Sequence, residues 1–80
     1  MTDAVRKKVL VSGRVQGVFF RYTCRQVADR EGVSCQATNL NDGRVQVLLE
    51  GAPEAVERVI EWCHEGPPQA QVTGVEVTDP

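Results

Sequence analysis

Residues 33–51 read Val33-Ser34-Cys35-Gln36-Ala37-Thr38-Asn39-Leu40-Asn41-Asp42-Gly43-Arg44-Val45-Gln46-Val47-Leu48-Leu49-Glu50-Gly51. Asn41-Asp42-Gly43 is a turn signal, because Gly43 takes a positive φ without a steric penalty. The run before it, 33–40, reads as a strand with Cys35 and Ala37 facing one way. The run after it, 44–50, alternates, with Val45, Val47 and Leu49 on one side and Arg44, Gln46 and Glu50 on the other. The two runs form a hairpin. Downstream, Gly51-Ala52-Pro53 opens a helix, with proline in its first turn. Val56, Val59, Ile60 and Cys63 form its apolar stripe, and Gly66-Pro67-Pro68 ends it. Upstream, Phe20, Cys24, Val27 and Ala28 fall at i, i+4, i+7 and i+8, one face of a helix that runs to about Glu31 and stops at Gly32. Residues 7–13 and 70–78 supply the outer strands. In the latter the apolar parity slips between Val72 and Val75, which predicts a bulge near Thr73-Gly74.

The order is strand-helix-strand-strand-helix-strand. That predicts an α+β fold of the ferredoxin-like split β-α-β type (βαββαβ), an antiparallel sheet with two helices on one face. The 80 residues suit one domain over 1–80, with residues 1–5 expected to be flexible. In this topology the first and second strands run parallel with the third between them. Their carboxyl ends therefore share a sheet edge. The 13–19 loop, the start of the first helix, Asn39 and the 41–43 turn should gather there.

Hydrophobic residues at 41% and charged residues at 25% describe an ordinary folded domain. No apolar run approaches the ~20 residues of a membrane span, and residues 1–8 lack the apolar stretch of a signal peptide. A cytoplasmic protein that engages no membrane is expected. The net charge of -2 argues against a general nucleic-acid binder. Eight of the nine Lys/Arg lie in residues 1–44, and seven of the eleven acids lie in 45–80. The basic half can steer small anions, or these are simply solvated faces. Cys24, Cys35 and Cys63 include no CxxC pair, so buried inert thiols are expected rather than a zinc site or a disulfide framework.

Residues 13–21, Gly13-Arg14-Val15-Gln16-Gly17-Val18-Phe19-Phe20-Arg21, join a strand to a helix. With Gly17 at positive φ, successive amides can converge into an anion nest beside the helix N-terminus. Arg21 in the first helical turn opposes the helix dipole, and a bound phosphate-sized anion would explain its presence. A tight loop with a surface arginine is the alternative. No G-K-[ST] follows Gly17, so this is not a P-loop. A cysteine-phosphatase cradle would need Cys where Val15 stands. Cys24 faces inward, His64 sits in the last turn of the other helix where it complements the C-terminal dipole, and no cluster offers metal spacing. With neither nucleophile nor metal, water becomes the attacker. Asn39 either holds that water through its amide or bonds to hairpin backbone. Without a general acid the leaving group must depart unaided. A carboxylate does so, which suits acyl phosphates.

Val11-Ser12-Gly13-Arg14-Val15-Gln16-Gly17-Val18-Phe19-Phe20-Arg21 resembles the acylphosphatase signature V-x-G-x-V-Q-G-V-x-F-R at every specified position. Asn39, Gly43, Val45 and Gly51 match the spacing of the family's second segment. The resemblance covers nearly the whole chain. It implies a cofactor-free, metal-free acylphosphatase that takes a small-molecule acyl phosphate, with inorganic phosphate or sulfate as competing anion, no nucleic acid, and a monomeric state. It further implies phosphate binding by Gln16, Gly17, Val18, Phe19, Phe20 and Arg21, and catalysis by Arg21 with Asn39 orienting water. Cys35-Gln36 replaces the family's Gly-aromatic pair, and Thr38 replaces a basic or long residue. The chain ends at Val77-Thr78-Asp79-Pro80 without the family's aromatic segment. The lost aromatic at Gln36 is expected to loosen the second strand. A catalytically weak phosphate-binding module and an RNA-binding module of the same fold are the alternatives.

Overall fold

The computed structural model describes residues 3–80, in the order β1 (Val5–Arg14), α1 (Phe20–Glu31), β2 (Ser34–Asn39), β3 (Val45–Gly51), α2 (Pro53–Glu65) and β4 (Gln71–Thr78). The four strands form one sheet in the order β2-β3-β1-β4, and every neighbouring pair is antiparallel. β1 and β2 are therefore parallel, on either side of β3. This is the expected ferredoxin-like architecture. Of the stretch 1–5 expected to be flexible, residues 1 and 2 lie outside the described residues, and Val5 already pairs with Gly51.

The first strand is longer than the 7–13 read from the β-branched run, because pairing with β3 and β4 carries through the charged residues at either end. The inward face of the sheet carries Val9, Val11, Val45, Val47, Leu49 and Ala37, all buried. The helices cover it with Phe20, Cys24 and Ala28 from α1 and Ala55, Val56, Val59, Ile60 and Cys63 from α2. Burying each such large aliphatic or aromatic side chain stabilises the fold by roughly 1.5–3 kcal/mol. α1 ends at Gly32 (φ 72), where the Val33 amide returns to the Ala28 carbonyl at 2.8 Å. The 41–43 turn closes as expected. The Gly43 amide donates to Leu40 O at 3.2 Å, and the Leu40 amide donates to Arg44 O at 2.8 Å.

The bulge lies where the parity slip put it. Ser12 pairs with Gly74 but Gly13 pairs with Val72, leaving Thr73 as the extra residue. Gly13 has φ 119, and a Cβ there would overlap the Gln71 carbonyl oxygen and lie 2.8 Å from the Thr73 nitrogen. Gln36 and Thr38, the departures in β2, are exposed, and β2 keeps an unbroken register with β3 from Ser34↔Glu50 to Asn39↔Val45.

Cys24 and Cys63 are fully buried, whereas Cys35 is only half-buried because β2 is an edge strand. The sulfurs of Cys24 and Cys35 are 3.9 Å apart. The Cys24 contact, together with burial, raises the pKa of Cys35. For Cys24 the Cys35 contact acts downward, but the Cys63 contact and burial outweigh it and the net direction is up.

Gly13→Ala is expected to destabilise the fold by roughly 2–4 kcal/mol, from close overlap plus a strained positive φ. A urea midpoint within error of wild type would contradict the bulge geometry. The thiols give a second expectation, with its sign set by their raised pKa values. Unfolded thiols ionise near their ordinary value of 9.0, while folded Cys24 and Cys35 stay protonated to higher pH. Their contribution to stability is complete below that value and is lost as pH rises above it. As pH is raised above 9.0, urea midpoints should fall more steeply for wild type than for a Cys24→Ala/Cys35→Ala double variant. Parallel curves would remove the thiols as the cause.

Candidate functional site

The loop between β1 and α1 alternates between core and surface. Val15, Val18 and Phe20 are buried, while Gly17 and Phe19 are exposed and Gln16 is half-exposed. The three buried side chains anchor the loop. The Phe20 ring packs on Trp62 with centroids 5.1 Å apart, and a Cβ on Gly66 would come within 3.0 Å of it. Gly17 has φ 74 and Phe19 has φ 64, with Val18 between them outside the left-handed region. Such alternation of hand turns successive amides toward one concavity. Phe19 is the one non-glycine residue at positive φ among the described residues, a conformation costing roughly 1–2 kcal/mol. Among the described residues, none of the turn, loop and cap bonds uses the amide N–H of Gln16, Gly17, Val18 or Phe19 as a donor.

The start of α1 is left equally open. No side chain caps it and no acid lies in its first turn, whereas α2 has Glu54 there. Arg21 occupies that first turn, is exposed, and enters no ion pair among the described residues. One turn on, the exposed Arg25 directs Nη2 to the Ala37 carbonyl at 3.4 Å. Asn39 ends β2 and is exposed. Among the described residues its carboxamide makes no hydrogen bond to hairpin backbone. The side chain of Gln16 does so instead, donating from Nε2 to Leu40 O at 2.8 Å and to Arg44 O at 3.0 Å. Those two bonds tie the loop to the hairpin that carries Asn39.

Val15, Gly17, Phe19, Phe20, Arg21, Tyr22, Arg25 and Asn39 line one depression of about 310 Å³. The structure thus brings Gly17, Phe19, Phe20, Arg21 and Asn39 together as expected. The side chains of Gln16 and Val18 do not line it. Gln16 turns to the hairpin and Val18 to the core. Arg25 and Tyr22 are additions that sequence reasoning did not single out. Arg25 was available from its i+4 spacing to Arg21, which places both on one helical face. Among the described residues no carboxylate or imidazole lines the depression; His64 is in the last turn of α2, the end that packs on Phe20 through Trp62, but it lines a different depression with Glu61, Trp62 and Glu65. Among the described residues no group of three or more His, Cys, Asp or Glu is placed to hold a metal. A separate depression of about 320 Å³ holds Arg6, Lys7 and Glu50. Its cations are already paired, Arg6 with Glu50 at 3.8 Å and Lys7 with Asp79 at 2.8 Å.

An uncapped helix start, unengaged loop amides and two guanidiniums with no carboxylate among them attract a small anion with several oxygens. The Acylphosphatase family model matches residues 7–80. An acylphosphatase of Rubrobacter xylanophilus is 57% identical over 74 residues, covering 92% of this chain and 67% of the relative. One from Gloeobacter violaceus is 51% identical over 77 residues, covering 96% and 83%. The solved structure of an acylphosphatase from Coxiella burnetii superposes with a TM-score of 0.92 at 36% identity, covering 98% of this chain and 82% of that one. With the signature loop folded as an open amide cradle and these relatives matched over nearly its whole length, the chain belongs to the acylphosphatase family.

Proposed function

We propose that the chain hydrolyses the carboxyl–phosphate anhydride of small acyl phosphates, and that water attacks phosphorus directly. The observation that carries this reading is the set of unengaged loop amides beside the depression that Gly17, Phe19, Arg21 and Asn39 line together. The amides of Gln16, Gly17, Val18, Phe19 and Phe20 and the Arg21 guanidinium take the phosphoryl oxygens. Three buried side chains hold that loop in place, so the donors do not reorganise as charge develops on the phosphoryl group. Arg25 adds a second positive charge at the mouth and draws dianions in.

Asn39 faces the bound phosphoryl group from the end of β2. Its carbonyl oxygen accepts from the attacking water and holds a lone pair toward phosphorus. A carboxamide takes no proton. The water proton passes to a phosphoryl oxygen as the new P–O bond forms. The bond to the acyl oxygen breaks, and the carboxylate leaves with the electron pair. Its conjugate acid has a pKa near ~4, so it departs without a general acid, in keeping with a depression that lacks one. Inorganic phosphate and sulfate compete for the same donors. The enzyme acts as a monomer. Its free thiols suit a reducing compartment such as the cytoplasm. Base-stacking RNA recognition gains no support, because none of the four strands carries an aromatic residue.

Purified protein in chelator-treated buffer should hydrolyse acetyl phosphate and be inhibited competitively by inorganic phosphate. Arg21→Gln should lower kcat/KM at least ~10²-fold, the scale of losing one transition-state donor. Asn39→Ala should lower kcat with little change in phosphate affinity. Wild-type turnover in Arg21→Gln would reject the site.

A further inference from the structure

We infer that Cys24 and Cys35 are a thiol–disulfide site, at which a low-molecular-weight disulfide oxidises the pair to one intramolecular bond that ties α1 to β2. The site is independent of the hydrolytic reading, because neither cysteine lines the anion depression. The two sulfurs are 3.9 Å apart, although the residues are 11 apart in sequence. The turn at Gly32 leads α1 straight into β2, and Cys24 and Cys35 lie on the facing sides of these two elements. A disulfide places its sulfurs about 2.05 Å apart. Each sulfur therefore moves by roughly 1 Å, which a modest χ1 rotation supplies.

Burial separates the roles of the two thiols. Cys35 is half-buried on an edge strand, so a small oxidant reaches it. Cys24 is fully buried, and so is Cys63, its other sulfur neighbour. Cys35 is accordingly the entry thiol and Cys24 the resolving one. The Cys35 thiolate attacks one sulfur of the small disulfide. The S–S bond of the oxidant breaks, and its other half leaves with the electron pair and takes up a proton as a free thiol. The Cys24 thiolate then attacks the Cys35 sulfur and displaces the second half, which leaves as a second thiol. Two protein thiols are oxidised and one small disulfide is reduced to two thiols. Both cysteines are held above their ordinary pKa, so thiolate is scarce at neutral pH and the exchange is slow. The pair acts as a lock that closes on prolonged exposure.

The position of the bond gives it a consequence. β2 pairs with β3 on one side only, and its other edge has α1 for a neighbour. Two contacts join them, the sulfur pair and the Arg25 guanidinium on the Ala37 carbonyl at 3.4 Å. Cys24 comes three residues after Arg21, and Cys35 four before Asn39. A covalent bond between them therefore links the two elements that form the walls of the anion depression. It also closes a loop in the unfolded chain and lowers its entropy, while the folded chain changes little because the sulfurs are already in contact. The oxidised protein is thus the more stable form.

The test incubates the folded, reduced protein with hydroxyethyl disulfide, alkylates the remaining thiols in denaturant, and maps the tryptic peptides. Each cysteine falls in its own peptide, Cys24 in 22–25, Cys35 in 31–44 and Cys63 in 59–80. Two of the three thiols should disappear, with 22–25 joined to 31–44, Cys63 alkylated and the intact mass that of one chain. Urea unfolding followed by the fluorescence of Trp62, the single tryptophan, should give an oxidised midpoint roughly 1 M above the reduced one. Dithiothreitol should reverse the rise, and Cys35→Ala should show neither the crosslink nor the rise. A bond between 22–25 and 59–80, a crosslink between two chains, or a mixed disulfide left unresolved on Cys35 would overturn the site. So would three thiols that stay free throughout, or an oxidised midpoint no higher than the reduced one.

Discussion

The loop between β1 and α1 depends on a division of labour within six residues. Val15, Val18 and Phe20 are driven into the core, while the amides between them are left without acceptors of their own. Apolar burial on this scale holds the backbone as firmly as strand pairing would, without using up the N–H groups. A loop fixed by hydrogen bonds would have spent the donors that make it useful. Gln16 is the exception that fits the rule, because its side chain, not its amide, ties the loop to the hairpin.

Several local choices at this edge oppose stability taken alone. Phe19 sits at a positive φ, α1 starts without a side-chain cap, and Arg21 opposes the helix dipole. Each is a small local penalty, and they fall on adjoining residues. The remainder of the fold is locally consistent, with an alternating sheet, two apolar helical stripes and a bulge accommodated by Gly13. Concentrated inconsistency of this kind is what a preorganised anion site leaves behind, because donors aimed at a ligand cannot also satisfy the protein.

Much of this was legible in the chain. The Asn41-Asp42-Gly43 turn, the two helical stripes and the parity slip at Thr73-Gly74 are local signals, and each determines an element that the structure contains. The gathering of Arg21 and Asn39 at one edge followed from topology alone. Long-range contacts were not legible. Nothing near Gln16 in sequence indicates that its carboxamide reaches carbonyls 24 and 28 residues away. The half-exposure of Cys35 depends on β2 being an edge strand, which strand order and not local pattern decides. The departures at Gln36 and Thr38 looked like weaknesses of β2, but both side chains are exposed and the ladder with β3 is unbroken. Arg25 and Tyr22 were missed for another reason. Their spacing is visible, but their neighbours across the rim come from distant turns.

The most direct measurement of the central claim is a titration of the protein with inorganic phosphate, followed through backbone amide resonances. Saturable shifts concentrated at residues 16–20, with the Arg21 side-chain N–H moving in step and strand amides unmoved, are the expected result. Phosphate that leaves those amides unshifted, or that perturbs Arg6 and Lys7 at the opposite sheet end instead, would contradict it.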